Sequence, residues 1–342
     1  MSTISNNCEF FASPVARLCN DAFSNVLSFF GPKELALLEK VCTSWKTFIG
    51  ATDQWKKHCQ HRLNIPAHLD PKSFLREGWN YKKGALFASP KVFDGRMYEY
   101  FLEADIGPVP PIPEEISLER RDEPDPCDPT ETIGRNYTWI YCPEGFTFED
   151  PPFDLDKADD PIDEEAPGLI PKEVGKSEEK RVLTVPNTIN NIGEIFKHPT
   201  NGNPSAYDHI WVGIAEQHGN KRIRSGWICM REDTIGENRS FNNQQKIAKK
   251  AGVIISPLLH RVIFNFLIQT SSRMANTWPD GKSTYTRTSY LYRDLYGILW
   301  LSGCGDGGPS GLRVGSGFFF SGTGPNVGAA VVLPVKTQTI DP

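Results

Sequence analysis

The chain has 342 residues, with 37 Lys and Arg against 42 Asp and Glu, and a net charge of −5. That length allows about two domains and at least one real core, and the acidic balance excludes a nucleic-acid binder by overall composition. The eight cysteines are scattered and form no Cys-x-x-Cys pair, which favours reduced thiols in a cytosol over a disulfide-stapled secreted domain. The opening "MSTISNNCEFFASP" lacks a basic and then apolar signal pattern, so no signal peptide is read and a cytoplasmic protein is expected. The most apolar run, "GVIISPLLHRVIFNFLIQ", is cut by Pro257, His260 and Arg261 and is not a membrane span.

In chain order, residues 1–17 are a tail and residues 18–62 read as three short helices. Phe23, Val26, Leu27 and Phe30 fall at i, i+3, i+4 and i+7, one helical stripe. Gly31 and Pro32 end that helix, and Pro32 can open the next. Leu35, Leu38, Val41, Cys42 and Trp45 make a second stripe; Trp55 and Leu63 belong to a third. Residues 63–102 are a mixed connector carrying Trp79 and Tyr81. Residues 103–180 are acidic and Pro-rich. From Glu103 to Glu165 there are twenty acidic residues against four basic ones, net −16, so the rest of the chain carries +11. Such composition predicts loop or disorder and a spacer role, with "YTWIYC" as a candidate docked strand.

Residues 181–337 change pattern again. "RVLTVP" reads as a strand and "NTINNIGEIFKH" as a helix. "RSGWICMRED" reads as a strand, with Cys229 in its middle. "SFNNQQKIAKKAG" reads as a helix with Ser240 as N-cap and Gly252 as its stop. "SPLLHRVIFNFLIQT" is an apolar helix at the centre of this domain's core, and the Gly-punctuated end reads as strands joined by turns. The predicted class is α+β: a small N-terminal three-helix module, a Pro-rich acidic linker and a C-terminal domain with helices first and strands last.

A helical unit of this size hides only part of its apolar surface and needs outside help; Trp45 is its natural anchor, since a buried interface Trp can be worth about 2 kcal/mol or more. The pattern resembles the F-box. Leu18 stands at the family's Leu-Pro opening, where Cys19 replaces the Pro. Val26 and Leu27 match its Ile-Leu pair, and "FFGPKEL" matches the turn ending at Leu35. Val41, Cys42 and Trp45 match Val-Cys-x-x-Trp, and Trp55 matches a later Trp. The resemblance implies docking of a Skp-type adaptor, and through it a cullin-RING ubiquitin ligase, by Leu18, Val26, Leu27, Phe30, Leu35, Val41, Cys42, Trp45 and Trp55. The C-terminal domain would then present an unknown target protein, without bond chemistry of its own.

The stretch carrying "WICMREDTIGENRSFNNQQ", "TYTR" and "VGAA" is similar to F-box-like proteins of amoeba-associated chlamydia-like bacteria. That likeness implies an effector delivered into a eukaryotic host cytosol, because bacteria lack the Skp–cullin machinery.

Other chemistry is less marked. Gly303, Gly305 and Gly308 match Gly-x-Gly-x-x-Gly, but no helix pattern follows, so they read as turn glycines and not as a phosphate loop. His58, Cys59 and His61 lack a third or fourth partner at zinc spacing. Cys229, with His209, His218 or His260, could form a Cys/His site, but a mid-strand cysteine is by default a buried thiol. Lys221, Arg222, Arg224, Lys246, Lys249 and Lys250 lack interleaved aromatics, so nucleic acid is not expected. No cofactor or metal is expected. The alternative function is an enzyme modifying a host protein, localised by the F-box, with a polar pocket near Cys229 or the late glycines.

Overall fold

The computed structural model describes residues 22, 24–41, 43–149, 151, 182–272, 285–293, 296, 298–305, 311–318, 323 and 326–335. The chain divides into two units, Met1–Val92 and Phe93–Pro342.

In the first unit a helical turn at 24–27 precedes helices α1 (Pro32–Val41), α2 (Thr43–Ala51), α3 (Gln54–Leu63) and α4 (Tyr81–Phe87). Pro32 opens α1, where its missing N–H costs nothing. Asn64, in the left-handed region at φ 51°, ends α3. Asn80 opens α4 by accepting the Lys83 N–H. The core is Leu27, Leu35, Ile49, Trp55, Cys59 and Leu63, continued by Leu69, Phe74, Leu75 and Ala85. Much of the expected connector therefore completes this unit instead of leading away from it. The close approach of α3 and α4 depends on Gly84: a Cβ there would lie 2.5 Å from Cys59 Sγ and 2.8 Å from Leu75 Cδ2.

The second unit mixes helices and sheets, so the chain is α+β. Its strands are β1 (Val92–Phe93, whose second residue opens the unit), β2 (Ala104–Asp105), β3 (Pro124–Asp125), β4 (Asp128–Thr132), β5 (Tyr137–Cys142), β6 (Gly145–Glu149), β7 (Val182–Pro186), β8 (Tyr207–Ile210), β9 (Gly226–Arg231), β10 (Ile254–Ile255), β11 (Tyr285–Arg293), β12 (Leu299–Gly305), β13 (Leu312–Phe318), β14 (Val327–Ala329) and β15 (Val331–Val332). Its helices are α5 (Gly95–Leu102), α6 (Ile133–Asn136), α7 (Ile189–Ile195), α8 (Val212–His218), α9 (Phe241–Ala251) and α10 (Leu258–Ser271). One sheet runs β1-β5-β9-β15-β10, a second β14-β11-β12-β13-β8, and a smaller one β2-β6-β7. All 14 residues of α10 are buried, as expected of a helix apolar nearly all round. Phe266 of α10 stacks on Phe196 with centroids 5.2 Å apart and meets Tyr207 edge-on. Gly252, at φ 70°, stops α9 as its sequence predicts. Ser240 stands at the N-cap, but its side chain makes no capping bond.

Residues 103–149 differ from the expected loop or disorder. They hold five strands and the short helix α6, and "YTWIYC" is a fully buried strand, β5. Two tryptophans tie the Pro-rich stretch to the sheet: Trp139 Nε1 donates to the Ile116 carbonyl at 2.5 Å, and Trp227 Nε1 to that of Pro110 at 2.7 Å. Asp125 is wholly buried and takes the Arg231 guanidinium at 2.9 Å, Asn136 Nδ2 at 2.6 Å and the Tyr137 hydroxyl at 3.2 Å. Composition counts charges without their partners; here the partners are in the fold. The rest of the expected spacer, 152–180, lies outside the described residues.

Candidate docking site

Helix α1 presents two apolar faces. Leu35 is completely buried, and Glu39, one turn on, points the same way with its side chain 8% exposed. Leu37 and Val41, also one turn apart, are 62% and 70% exposed. Just upstream, Val26 is 50% and Phe29 89% exposed, while Leu27 is at 0%. Residues 26–41 therefore carry four large exposed apolar side chains. Surface apolar groups concentrated in this way mark an interaction site when they form a patch.

The inner face is fastened by polar contacts. Trp55 Nε1 donates to Glu39 Oε1 at 2.8 Å. Lys82 of α4 pairs with the other carboxylate oxygen, and its ammonium lies 5.4 Å from the centre of the Trp55 ring. One carboxylate thus joins α1, α3 and α4. Gln54 Nε2 reaches the Ser24 carbonyl at 3.1 Å, tying the first helical turn to α3. Burial, with a smaller contribution from Asp70, pushes the Cys59 thiol up to about 12, so it stays protonated.

Of the sequence-derived adaptor residues, Val26 and Val41 are on the surface, and Phe30 and Trp45 are half-buried. Trp45 meets Phe48 edge-on with centroids 6.4 Å apart. Leu27, Leu35 and Trp55, at 0%, 0% and 6% exposed, are core residues of the unit. They support the surface and are not themselves displayed on it. Leu18 and Cys42 lie outside the described residues. Sequence reading missed Phe29 and Leu37. The second was detectable as an i, i+4 partner of Val41, but the stripe through Leu35 and Leu38 took precedence.

Residues 15–57 match the F-box domain. An F-box domain implies a Skp-binding adaptor role in ubiquitin ligases. No curated protein and no solved structure matches the chain. The F-box match ends inside α3, while the unit that contains it continues through α4 to Val92.

The other candidate chemistry sorts as follows. Cys59 is buried, His58 half-buried and His61 exposed, and no cluster of three metal-ligating side chains occurs among the described residues. Cys229 is wholly buried in β9, opposite Trp139. Gly303 and Gly305 lie within strand β12 and not in a turn; Gly308 is outside the described residues. No helix among the described residues is long and apolar enough to cross a membrane.

Proposed function

We propose that the F-box segment docks a Skp-type adaptor through Val26, Phe29, Leu37, Val41 and half-buried Trp45, linking the chain to a cullin-RING ubiquitin ligase. The observation that carries this reading is the exposed apolar side of α1 inside the matched segment, opposite a side already filled by Leu35 and the Glu39–Trp55 bond. Leu27, Leu35 and Trp55 act by holding that side in place. The second unit presents a target protein. Its likeness in "WICMREDTIGENRSFNNQQ", "TYTR" and "VGAA" to F-box-like proteins of chlamydia-like bacteria supports a further reading, that the chain works as an effector in a eukaryotic host cytosol. A translocation reporter fused to the chain tests that part: no signal in host cytosol during infection refutes delivery and leaves docking standing. Docking itself is tested by titrating the full chain and Val41→Asp against a eukaryotic Skp adaptor. Loss of binding with an unchanged unfolding midpoint supports it, and equal binding by both contradicts it.

A further inference from the structure

The sequence places glycines at 303, 305 and 315, and the structure puts all three inside strands and on one face of one sheet. Gly303 of β12 pairs with Gly315 of β13. One step along, a single row crosses four strands: Tyr285 of β11, Gly305 of β12, Arg313 of β13 and His209 of β8. Partners in register share a face, so the glycines lie on the face opposite buried Cys304 and Val314, with the Tyr285 ring against Gly305 and Trp211 beside Gly315. Tyr285 stands on one side of the glycines. Trp211, two residues beyond His209, stands on the other. They are 40% and 45% exposed. These residues bound a groove of about 560 Å³, within the range of small-ligand sites.

A glycine inside a strand costs about 0.5–1 kcal/mol relative to Ala, so three on one face need a reason. At Gly305 the reason is internal: a Cβ would come within 2.8 Å of the Tyr285 ring. At Gly315 the described residues supply none. Its φ is not in the left-handed region, and among the described residues a Cβ there would meet only Trp211, at 3.6 Å, an ordinary contact. A glycine in a strand also marks close approach by a ligand.

The polar groups narrow its chemistry. Arg313 Nε donates to Asp208 Oδ2 at 2.5 Å. The pair offers donors and acceptors without net charge, and the carboxylate disfavours a phosphate or other anion. The described lining residues include no Ser, Thr, Cys or Lys nucleophile, and Asp208 is paired with Arg313, an arrangement that suits binding. An added peptide strand needs a sheet edge, and this is a sheet face. Tyr and Trp walls suit a ligand with an apolar C–H face and polar edges, and a neutral ion pair suits hydroxyl groups.

We propose that this groove binds a neutral carbohydrate between Trp211 and Tyr285, on the glycine-bearing face of the sheet. The site belongs to the second unit and does not depend on adaptor docking. The test is calorimetric titration of the full-length chain, in separate arms, with maltotriose, cellotriose, chitotriose and inorganic phosphate. At least one sugar binds at millimolar or lower concentration. Gly315→Ala, which places a methyl on that face, and Trp211→Ala, which removes a wall, each weaken that binding by about tenfold or more. Gly315→Ala leaves the unfolding midpoint unchanged, and both variants bind a Skp adaptor as the parent does. Failure of all three sugars, binding of phosphate in their place, or full affinity in Gly315→Ala overturns the proposal.

Discussion

Glu39 shows how one side chain can decide whether a surface is available. Its carboxylate receives the Trp55 indole N–H and the Lys82 ammonium, which fixes which side of α1 faces inward. Glu39→Ala leaves that indole N–H buried without its acceptor. The expected loss is about 1–3 kcal/mol of unfolding free energy, measurable by urea titration. Glu39→Gln keeps an acceptor oxygen and recovers much of the loss; equal loss in both variants would show that the Trp55 bond is not what matters. Leu35→Ala removes a fully buried side chain and costs about 2–5 kcal/mol. Val41→Asp, on a side chain 70% exposed, changes stability by no more than about 0.5 kcal/mol while abolishing adaptor binding. Leu27 and Leu35 were legible as helical-period residues. Their burial was not, because α1 has apolar residues on both sides and periodicity alone cannot say which side the rest of the unit covers.

At the scale of elements, α10 was the most legible part of the chain. Its apolar residues are spread nearly all round the helix, too widely for a surface helix, and all 14 residues are buried. Burial pushes the imidazole of His260 in this helix down to about 4, against about 6.5 in an unfolded chain. Between those values the unfolded state binds a proton that the folded state does not. Stability from this group is therefore complete above about pH 6.5 and is lost as pH falls towards 4. Burial lowers His218 as well, which acts in the same direction. The unfolding midpoint of His260→Leu should fall less steeply across that window than that of the parent; parallel curves would rule the assignment out. At the α3–α4 contact, Gly84→Ala forces a methyl against Cys59 and Leu75 and should cost about 1–3 kcal/mol, read by thermal unfolding. The element least legible was 103–149. Its charge and prolines predicted a spacer, whereas Asp125, Trp139 and Trp227 find partners distant in sequence, which composition cannot report.

At the scale of the whole molecule, the match at residues 15–57 and the first compact unit, 1–92, are not the same object. The matched segment is what the helical spacing and the Val-Cys-x-x-Trp signature made visible. The remainder of the unit was read as a connector because α4 and the turn around Phe74 are short and carry no stripe of their own; at Gly84, α4 packs against Cys59 and Leu75. The α+β class of the second unit was legible from its alternating patterns, but the gathering of Gly303, Gly305 and Gly315 on one face was not. It depends on the register of β12 against β13. Docking of a Skp-type adaptor by the exposed side of α1 is open to direct test. The most direct measurement is a titration of purified full-length protein, Trp45→Ala and the double variant Leu37→Asp/Val41→Asp against a eukaryotic Skp adaptor, with unfolding of each followed in parallel. The parent is expected to bind at micromolar or tighter affinity, and both variants to lose binding while the second unit stays folded. Binding undiminished in the double variant, or no binding by a folded parent, would contradict docking by this side of α1.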